Sequence, residues 1–349
     1  MIVVGMSGGV DSSVAALLLK QKGETVQGVF MKNWEDSECR ADNDRADALR
    51  VCATLDIPFA TRNFADVYWK EVFQEFLDGY KRGLTPNPDI LCNREVKFKV
   101  FLNEALAMGA DRLATGHYAR KGKIGNEFVL LRGRDPGKDQ SYFLHAISQD
   151  ALALAEFPVG ELPKADVRAL AEQANLVTAR KKDSTGICFI GERNFKDFLS
   201  SYIPATAGDM VTEKGDVVGR HEGALYYTVG QRAPLGGVKG YPGETWFVLH
   251  KDVPNNRLIV GQGRNHPALI TQDLTTDAVS WIAGHAPADS FDATVQIRHL
   301  GEALPAHIVI NEDGQALVRF KDPIWGVAPG QSAVFYNEDV CLGGAPILP

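Results

Sequence analysis

The sequence predicts an α/β protein, with a parallel sheet occupying residues 1–203 and short β-strands filling the rest. Three observations carry that reading. The apolar run Ile2-Val3-Val4 passes through Ser7-Gly8-Gly9-Val10-Asp11-Ser12-Ser13 into Val14-Ala15-Ala16-Leu17-Leu18-Leu19, which reads as strand, glycine–serine loop and helix. Strand-like and helix-like segments then alternate, the pattern of a parallel sheet covered on both faces. After Pro204 the texture changes, with frequent Gly, Pro and Asn between apolar runs of strand length.

The glycine–serine loop is the most informative element. Paired glycines open backbone angles closed to other residues, so amides can converge on an oxyanion where the helix N-terminus adds its positive dipole end. Ser7, Ser12 and Ser13 add hydroxyl donors. The Gly-x4-Gly-Lys-Ser/Thr spacing of the kinase-type loop is missing, and with it that loop's phosphate-reaching lysine. A bare glycine turn with Ser12 or Ser13 as helix N-cap is the alternative. The length of the small, polar run between strand and helix favours phosphate binding.

A strand is expected over 25–31, a helix over 44–55, a strand over 59–63 and a helix over 67–81. In the last of these Trp69, Val72, Phe73, Phe76, Leu77 and Tyr80 recur on one face. Phe98, Phe101, Leu102, Ala105 and Leu106 mark a further helix stopped at Gly109, and 112–115 is a strand ending at Gly116-His117. Ligands of such sheets sit at the carboxyl ends of the strands, which places Gly8, Met31 and Gly116 along one edge. Helical character is read through 151–175, interrupted at 160–164, and through 194–202. Beyond Pro204, strands are read at 224–229, 245–249 and 257–260. From about Leu269 the pattern is β-only, with strands at 293–298, 306–310, 316–320 and 331–336 and turns at Asp313-Gly314 and Pro329-Gly330. That spacing suggests a small barrel. The expected domains are 1–203, a β-rich central domain at 204–267 and a C-terminal β-barrel at 268–349.

With 349 residues, 45% of them hydrophobic, the chain can fill two or three cores. No apolar run reaches membrane-spanning length, and the start Met1-Ile2-Val3-Val4-Gly5 lacks a basic n-region and enters a strand at once. A cytoplasmic protein without signal peptide or membrane contact is expected. A net charge of -7 and a pI near 5.7 exclude a uniformly basic nucleic-acid binder. Local patches remain at Arg120-Lys121-Gly122-Lys123, at Arg132, Arg134 and Lys138, and at Arg180-Lys181-Lys182, though each alone is more often a solvated face.

Cys39, Cys52, Cys92, Cys188 and Cys341 show neither C-x2-C pairs nor Cys/His ligand spacing, so no structural metal is expected. Cys52 and Cys341 read as packing residues, and Cys39 has no evident role. Cys92 lies in Thr85-Pro86-Asn87-Pro88-Asp89-Ile90-Leu91-Cys92-Asn93, where two prolines stiffen the chain as a segment positioning reactive groups requires. Asp89 is equally a base or the N-cap of the following helix. Cys188, in an apolar run between glycines, reads by default as an inert buried thiol.

The loop resembles that of the PP-loop ATP pyrophosphatase superfamily, whose members cleave ATP between the α and β phosphates and adenylate a substrate oxygen. Further motifs follow in order: Asn87-Pro88-Asp89 with Cys92-Asn93, Lys138-Asp139-Gln140-Ser141-Tyr142-Phe143, and Asp183-Ser184-Thr185-Gly186-Ile187-Cys188-Phe189-Ile190-Gly191. Gly230-Gln231-Arg232 and Pro329-Gly330-Gln331-Ser332-Ala333-Val334-Phe335-Tyr336 complete the set. Together they resemble the bacterial tRNA-specific 2-thiouridylase family over essentially the whole chain. The resemblance implies replacement of the 2-oxygen of the wobble uridine of tRNA by sulfur, with ATP, Mg²⁺ and a cysteine persulfide, releasing AMP and pyrophosphate.

By that resemblance Gly5, Met6, Ser7, Gly8, Gly9, Val10, Asp11 and Ser12 cradle ATP, with Met31 and Gly116 beside the adenosine. Asp89 is the base, Cys188 carries the persulfide, and Cys92 attacks it to release sulfur or close a transient disulfide. Asn87, Pro88, Asp89 and His117 lie near the target base, while Lys138, Asp139, Gln140, Arg298, His299 and Gln331 contact tRNA. His299 stands where many relatives carry a tyrosine, so any stacking there is by imidazole. The implied partners are tRNA and a cysteine desulfurase or sulfur-relay protein. Two rivals are kept. A PP-loop amidotransferase or argininosuccinate-type synthase adenylates an oxygen but delivers nitrogen and needs no cysteine pair, and a non-catalytic tRNA-binding protein would carry a vestigial nucleotide loop.

Overall fold

The computed structural model describes residues 1–34, 40–183, 195–241 and 243–349. Cys39 and Cys188 lie outside the described residues, as does most of the motif around Cys188.

Strand β1 (Ile2–Met6) is the centre of a five-stranded parallel sheet, between β2 (Val26–Lys32) and β4 (Arg112–Ala114). β3 (Phe59–Asn63) flanks β2. Period-two alternation sends Ile2, Val4 and Met6 to one face, against α1 (Val10–Gln21) and α2 (Arg40–Thr54), and Val3 to the other. The second face is filled by the aromatic stripe of α3, which runs through Ala65–Tyr68, Trp69–Phe73 and Gln74–Lys81 with a π-type turn in the middle. Phe73 and Phe76 are fully buried there, each worth roughly 1.5–3 kcal/mol of transfer free energy. Helix α4 follows through Pro88–Leu91, Cys92–Phe101 and Leu102–Ala107, kinks at Phe98, and ends before Gly109 at φ +88°.

One expectation gives way in the following stretch. Residues 151–175 are not simply an interrupted helix, because α6 (Gln149–Leu154), which follows α5 (Ser141–Leu144), gives way to β7 (Ala155–Glu156). Leu113 and Ala114 pair with those two residues and extend the sheet. Helix α7 (Lys164–Gln173) resumes the helical pattern, and α8 (Phe195–Tyr202) packs on α3 through Phe198 and Tyr202, whose rings lie 5.9 and 4.8 Å from Phe73. The basic runs at 120–123 and 132 prove to lie on a hairpin, β5 (Ala119–Ile124) with β6 (Glu127–Arg132).

The central domain is a four-stranded sheet in the order β10-β11-β8-β9, from β8 (Gly208–Val211), β9 (Val217–His221), β10 (Trp246–Asp252) and β11 (Arg257–Gln262). The strand expected at 224–229 is a 3-10 turn, Ala224–Tyr226, entered from Gly223 at φ +147° and tied by the Tyr226 hydroxyl donating to Ile203 O at 2.8 Å. Its aromatics made it look strand-like, but both are used to dock the turn.

The C-terminal sheet orders β12 (Ile270–Ala278), β13 (Ser280–Trp281), β14 (Ser290–Gln296), β15 (Leu304–Ile310), β16 (Gln315–Trp325), β17 (Ser332–Asn337) and β18 (Val340–Pro346) as β12-β16-β15-β14-β17-β18, with β13 on β18. A bridge between Thr276 and Ile347 brings the last strand back to the first. β6 of the N-terminal hairpin then pairs with β18, Leu130 opposite Cys341, so one sheet runs through both domains. No helix among the described residues is long and apolar enough to cross a membrane.

Asp139 pins this arrangement. Buried, its carboxylate accepts from Gly133 N (2.8 Å), Ser141 N (3.0 Å), Ser141 Oγ (2.9 Å) and Arg132 Nη1 (3.1 Å). The Arg132 guanidinium lies 3.5 Å over the Tyr336 ring of the barrel. Removing one partner of a buried pair strands the other, so Asp139→Ala should lower stability by roughly 3–5 kcal/mol. Urea unfolding measures it, and a loss below about 1 kcal/mol would show that the pair does not hold the domains.

Candidate active site

The loop after β1 lies between strand and helix as the sequence suggested, and neither Ser12 nor Ser13 caps the helix. Helix α1 begins at Val10 with Gly9 as N-cap and no side-chain capping bond, while Ser12 and Ser13 lie inside the helix. Their hydroxyls donate back to Gly9 O at 3.2 and 2.7 Å, so the serines brace the turn and do not cap it. Gly8 is at φ +74°, and a Cβ there would lie 2.7 Å from Asp44 Cα. Gly9 differs, since a Cβ would meet only Ser7 Oγ, at 3.3 Å. The twelve-residue helix thus starts at a glycine turn with no side-chain cap on its first N–H groups, where its positive dipole end lies.

The other predicted members of this site lie on the same edge. Gly5 and Met6 end β1, Met31 is at the carboxyl end of β2, and Gly116 follows β4. Gly116 is pressed so close that a Cβ would stand 2.6 Å from Ser12 N.

Around this loop runs a charge network that the sequence reading missed. Lys164 Nζ, almost buried, donates to both oxygens of Asp11 (2.7 and 2.9 Å) and pairs with Asp183 at 2.8 Å. Asp183 also takes Lys138 (2.7 Å) and Arg168 (2.6 Å). The Tyr118 hydroxyl donates to Asp11 at 2.7 Å, and Tyr118 N donates to Gln140 Oε1 at 2.9 Å, closing a ring from the loop to the Lys138–Gln140 segment. Burial opposes ionisation of Asp183, but the Lys138 and Lys164 hydrogen bonds outweigh it and hold the carboxyl at about 2. On the other side Lys181 donates to Gly8 O at 2.9 Å and pairs with Asp44 and Asp47 at 2.7 and 2.6 Å.

One signal could have found Lys164. It is a lysine in the first turn of a helix, where the dipole disfavours a cation, so its presence asks for a counter-ion.

Helix α4 removes one of the two readings of Asp89. Asn87 is the N-cap, accepting from Asp89 N at 3.0 Å with Pro88 at the first helical position, so capping is not the task of the Asp89 side chain. Asp89 and Cys92, three residues apart, share a face of the first turn, and Cys92 is 1% exposed in the core cluster under the sheet. Beside it Asn93 Nδ2 donates to Phe143 O at 2.9 Å, while its buried Oδ1 has no hydrogen-bond partner among the described residues.

His117 is buried, with Nδ1 at 2.8 Å from Thr115 Oγ1 and Nε2 at 3.5 Å from Lys97 Nζ, another residue the sequence reading passed over. Burial and the neighbouring Lys97 charge push its pKa well below the ordinary value. A lysine ammonium only donates, so Nε2 is the acceptor and the ring proton sits on Nδ1.

The residues expected to touch RNA divide. Lys138 and Gln140 are part-exposed, whereas the Asp139 carboxylate is consumed inside the protein and serves to hold its neighbours. His299 reaches back from the barrel, Nε2 at 3.0 Å from Asp139 O and its ring 4.2 Å from that of Phe143, and burial lowers its pKa although the Asp139 carbonyl and charge oppose this. Its imidazole is thus already packed, tilted by 40°, against a protein ring. Arg298 donates to Gly326 O and lies 5.5 Å over Trp325, while Gln331 Nε2 donates to Thr85 O at 2.7 Å. The basic runs are largely spent on internal pairs: Arg120 with Asp339 (2.7 Å), Lys121 with Glu156 (3.3 Å) and Lys181 as above.

A parallel sheet whose first loop is this Ser-Gly-Gly-x-Asp-Ser-Ser cradle defines a PP-loop nucleotide-binding protein. Three family models match the chain: the tRNA methyl transferase HUP domain at 1–192, the tRNA methyl transferase PRC-barrel domain at 196–262 and the aminomethyltransferase beta-barrel domain at 271–347. The tRNA-specific 2-thiouridylase MnmA of Idiomarina loihiensis is 52% identical, covering 99% of this chain and 95% of its own. That of Psychrobacter arcticus is 53% identical, covering 99% and 90%. The chain belongs to the tRNA-specific 2-thiouridylase family. Among solved structures the U34-tRNA thiolase NcsA of Methanococcus maripaludis is 16% identical over 58% of this chain with a TM-score of 0.36, a likeness too slight to bear on mechanism.

Two outcomes follow. Because the Gly9 backbone and surroundings accept a side chain, Gly9→Val should keep the wild-type melting temperature yet lose ATP binding by calorimetry; retained affinity would remove the phosphate from this loop. Asp183 is held below its unfolded value of about 3.9, so its contribution is present above that pH and lost as pH falls through about 2. The stability gap between wild type and Asp183→Asn should hold from neutrality to about pH 4 and close towards pH 2, measured by denaturant midpoints.

Proposed function

We infer that the protein is an ATP-dependent tRNA-uridine 2-sulfurtransferase. The observation that carries this is family membership over 99% of the chain, together with a loop and helix N-terminus shaped for phosphate. We further assign the wobble uridine as the target and ATP, accompanied by Mg²⁺, as the activator. Both Asp11 oxygens are taken by Lys164 and Tyr118, so the metal would come in on the ATP phosphates, where its chemistry would be to neutralise triphosphate charge as pyrophosphate leaves.

A carbonyl oxygen is a poor leaving group. When the uridine O2 attacks the α-phosphorus, pyrophosphate departs and O2 becomes part of AMP, which leaves readily when sulfur attacks C2. Ser7 to Ser12 orient the phosphates, and Lys164 and Lys181 supply positive charge beside them. Asp89, in the first turn of α4, accepts the proton released as the base is activated.

Cys188 brings the sulfur as a persulfide from a cysteine desulfurase or sulfur-relay protein. Cys92 thiolate attacks Cys188 Sγ and expels hydrosulfide, leaving a Cys92–Cys188 disulfide that two electrons from a cellular thiol reduce. Burial of Cys92 supports the reading, since the activated C2 must meet sulfur before water. A target base extruded from the anticodon loop suits a pocket of this kind, and the two β-domains supply grip elsewhere on the RNA. Asn87, Pro88 and His117 line the approach to that base, and Lys138, Gln140, Arg298 and His299 border the tRNA, while Gln331 is held on Thr85.

Mutation of the thiols tests the reading against the nitrogen-transfer rival. Cys188→Ser should accept no persulfide sulfur, Cys92→Ser should load sulfur and fail to transfer it, and alanine at Cys52 or Cys341 should leave thiolation intact. Mass spectrometry of nucleosides from treated tRNA and of the intact protein reads all four. 2-Thiouridine made by the Cys92/Cys188 double mutant would end the persulfide mechanism.

A further inference from the structure

Thr85 takes no part in the chemistry above, yet its polar groups are held by the other two domains. Its N–H donates to Pro329 O at 2.8 Å and its carbonyl accepts from Gln331 Nε2 at 2.7 Å, both in the barrel. From the central domain, Lys251 Nζ donates to Thr85 Oγ1 at 3.3 Å and to Leu84 O at 3.2 Å, and Thr228 Oγ1 lies 3.4 Å from Thr85 Oγ1. The fit is close, for a Cβ on Gly330 would stand 2.7 Å from Thr85 N.

Lys251 is the unusual member. It is 9% exposed, and among the described residues no carboxylate pairs with it; the Tyr80 ring, 6.0 Å away, is the aromatic face it meets. Burial lowers its pKa to about 8. Holding an ammonium there is costly, and an apolar residue would fill the space more cheaply. What the lysine adds is a pair of donors aimed at the chain just ahead of α4.

That chain is stiff. Pro86 packs against Gly79, where a Cβ would lie 2.8 Å from its ring, and Asn87 caps α4 with Pro88 in the first turn. Two prolines with fixed φ leave little slack between Thr85 and the turn carrying Asp89 and Cys92.

We propose that Thr85 is the junction through which the central domain and the barrel set the first turn of α4, with Lys251 and Gln331 as positioning residues, so that RNA seated on those domains governs the rate of sulfur transfer. The proposal rests on the reading that Asp89 and Cys92 do the chemistry. It separates rate from affinity, which a contact that merely glues domains together or grips RNA would not do.

The test uses full-length protein, an unmodified tRNA transcript and an extract of cells lacking this protein, which supplies the sulfur donor. Thiolation is followed against tRNA concentration and tRNA affinity is measured by filter binding. Lys251→Met and Thr85→Val should each lower the saturated rate at least tenfold while changing tRNA affinity less than twofold, and Thr85→Ser, which restores the hydroxyl, should stay within threefold of wild type. Should Lys251→Met melt early, Thr85→Val against Thr85→Ser decides alone. An unchanged saturated rate, or a loss confined to tRNA affinity, overturns the junction while Cys92→Ser remains inactive. A Cys92→Ser enzyme that still thiolates overturns the chemistry of this turn and the proposal with it.

Discussion

Lys164 between Asp11 and Asp183 is the interaction on which the site depends. An ammonium so little exposed is tolerable only where carboxylates surround it, and those carboxylates are in turn committed to Tyr118, Lys138 and Arg168. The cradle, the carboxyl edge of the sheet and the segment at Lys138–Gln140 therefore cannot move independently. Any anion entering the loop meets a balance of charge already set, in which cations at Lys164 and Lys181 are held near the loop by partners that can be exchanged.

How much of this could be read from the sequence depends on whether local or distant partners decided each element. The strand at Phe59–Asn63, the phosphate loop and the aromatic stripe of α3 obey their own periodicity and glycine chemistry, and they fold where they were expected. β7 has two residues and exists because Leu113 and Ala114 offer it an edge, which no local pattern announces. The turn at Ala224–Tyr226 failed for the opposite reason: strand-like composition was spent on docking aromatics.

The site divides in the same way. Glycines, Asp89 and Cys92 stand in short motifs, so the sequence singles them out, although spacing alone leaves Asp89 between base and helix cap. Lys97, Tyr118 and Lys164 act through partners far along the chain, and a lone lysine or tyrosine has no motif. The basic runs misled because charge along a strand says nothing of what faces it, and Arg120, Lys121 and Arg132 face carboxylates or a tyrosine ring.

The pairing of β6 with β18 has a consequence for how the chain is made. Arg120 and Asp339, bonded across the two domains, are 219 positions apart. The hairpin at Ala119–Ile124 and Glu127–Arg132 emerges in synthesis well ahead of the strand that covers its edge. Contacts of such separation must wait for loop closure and form slowly. Until that strand is made an apolar hairpin edge stands uncovered, open to pairing with another chain, and the N-terminal domain completes its surface only once the barrel supplies it.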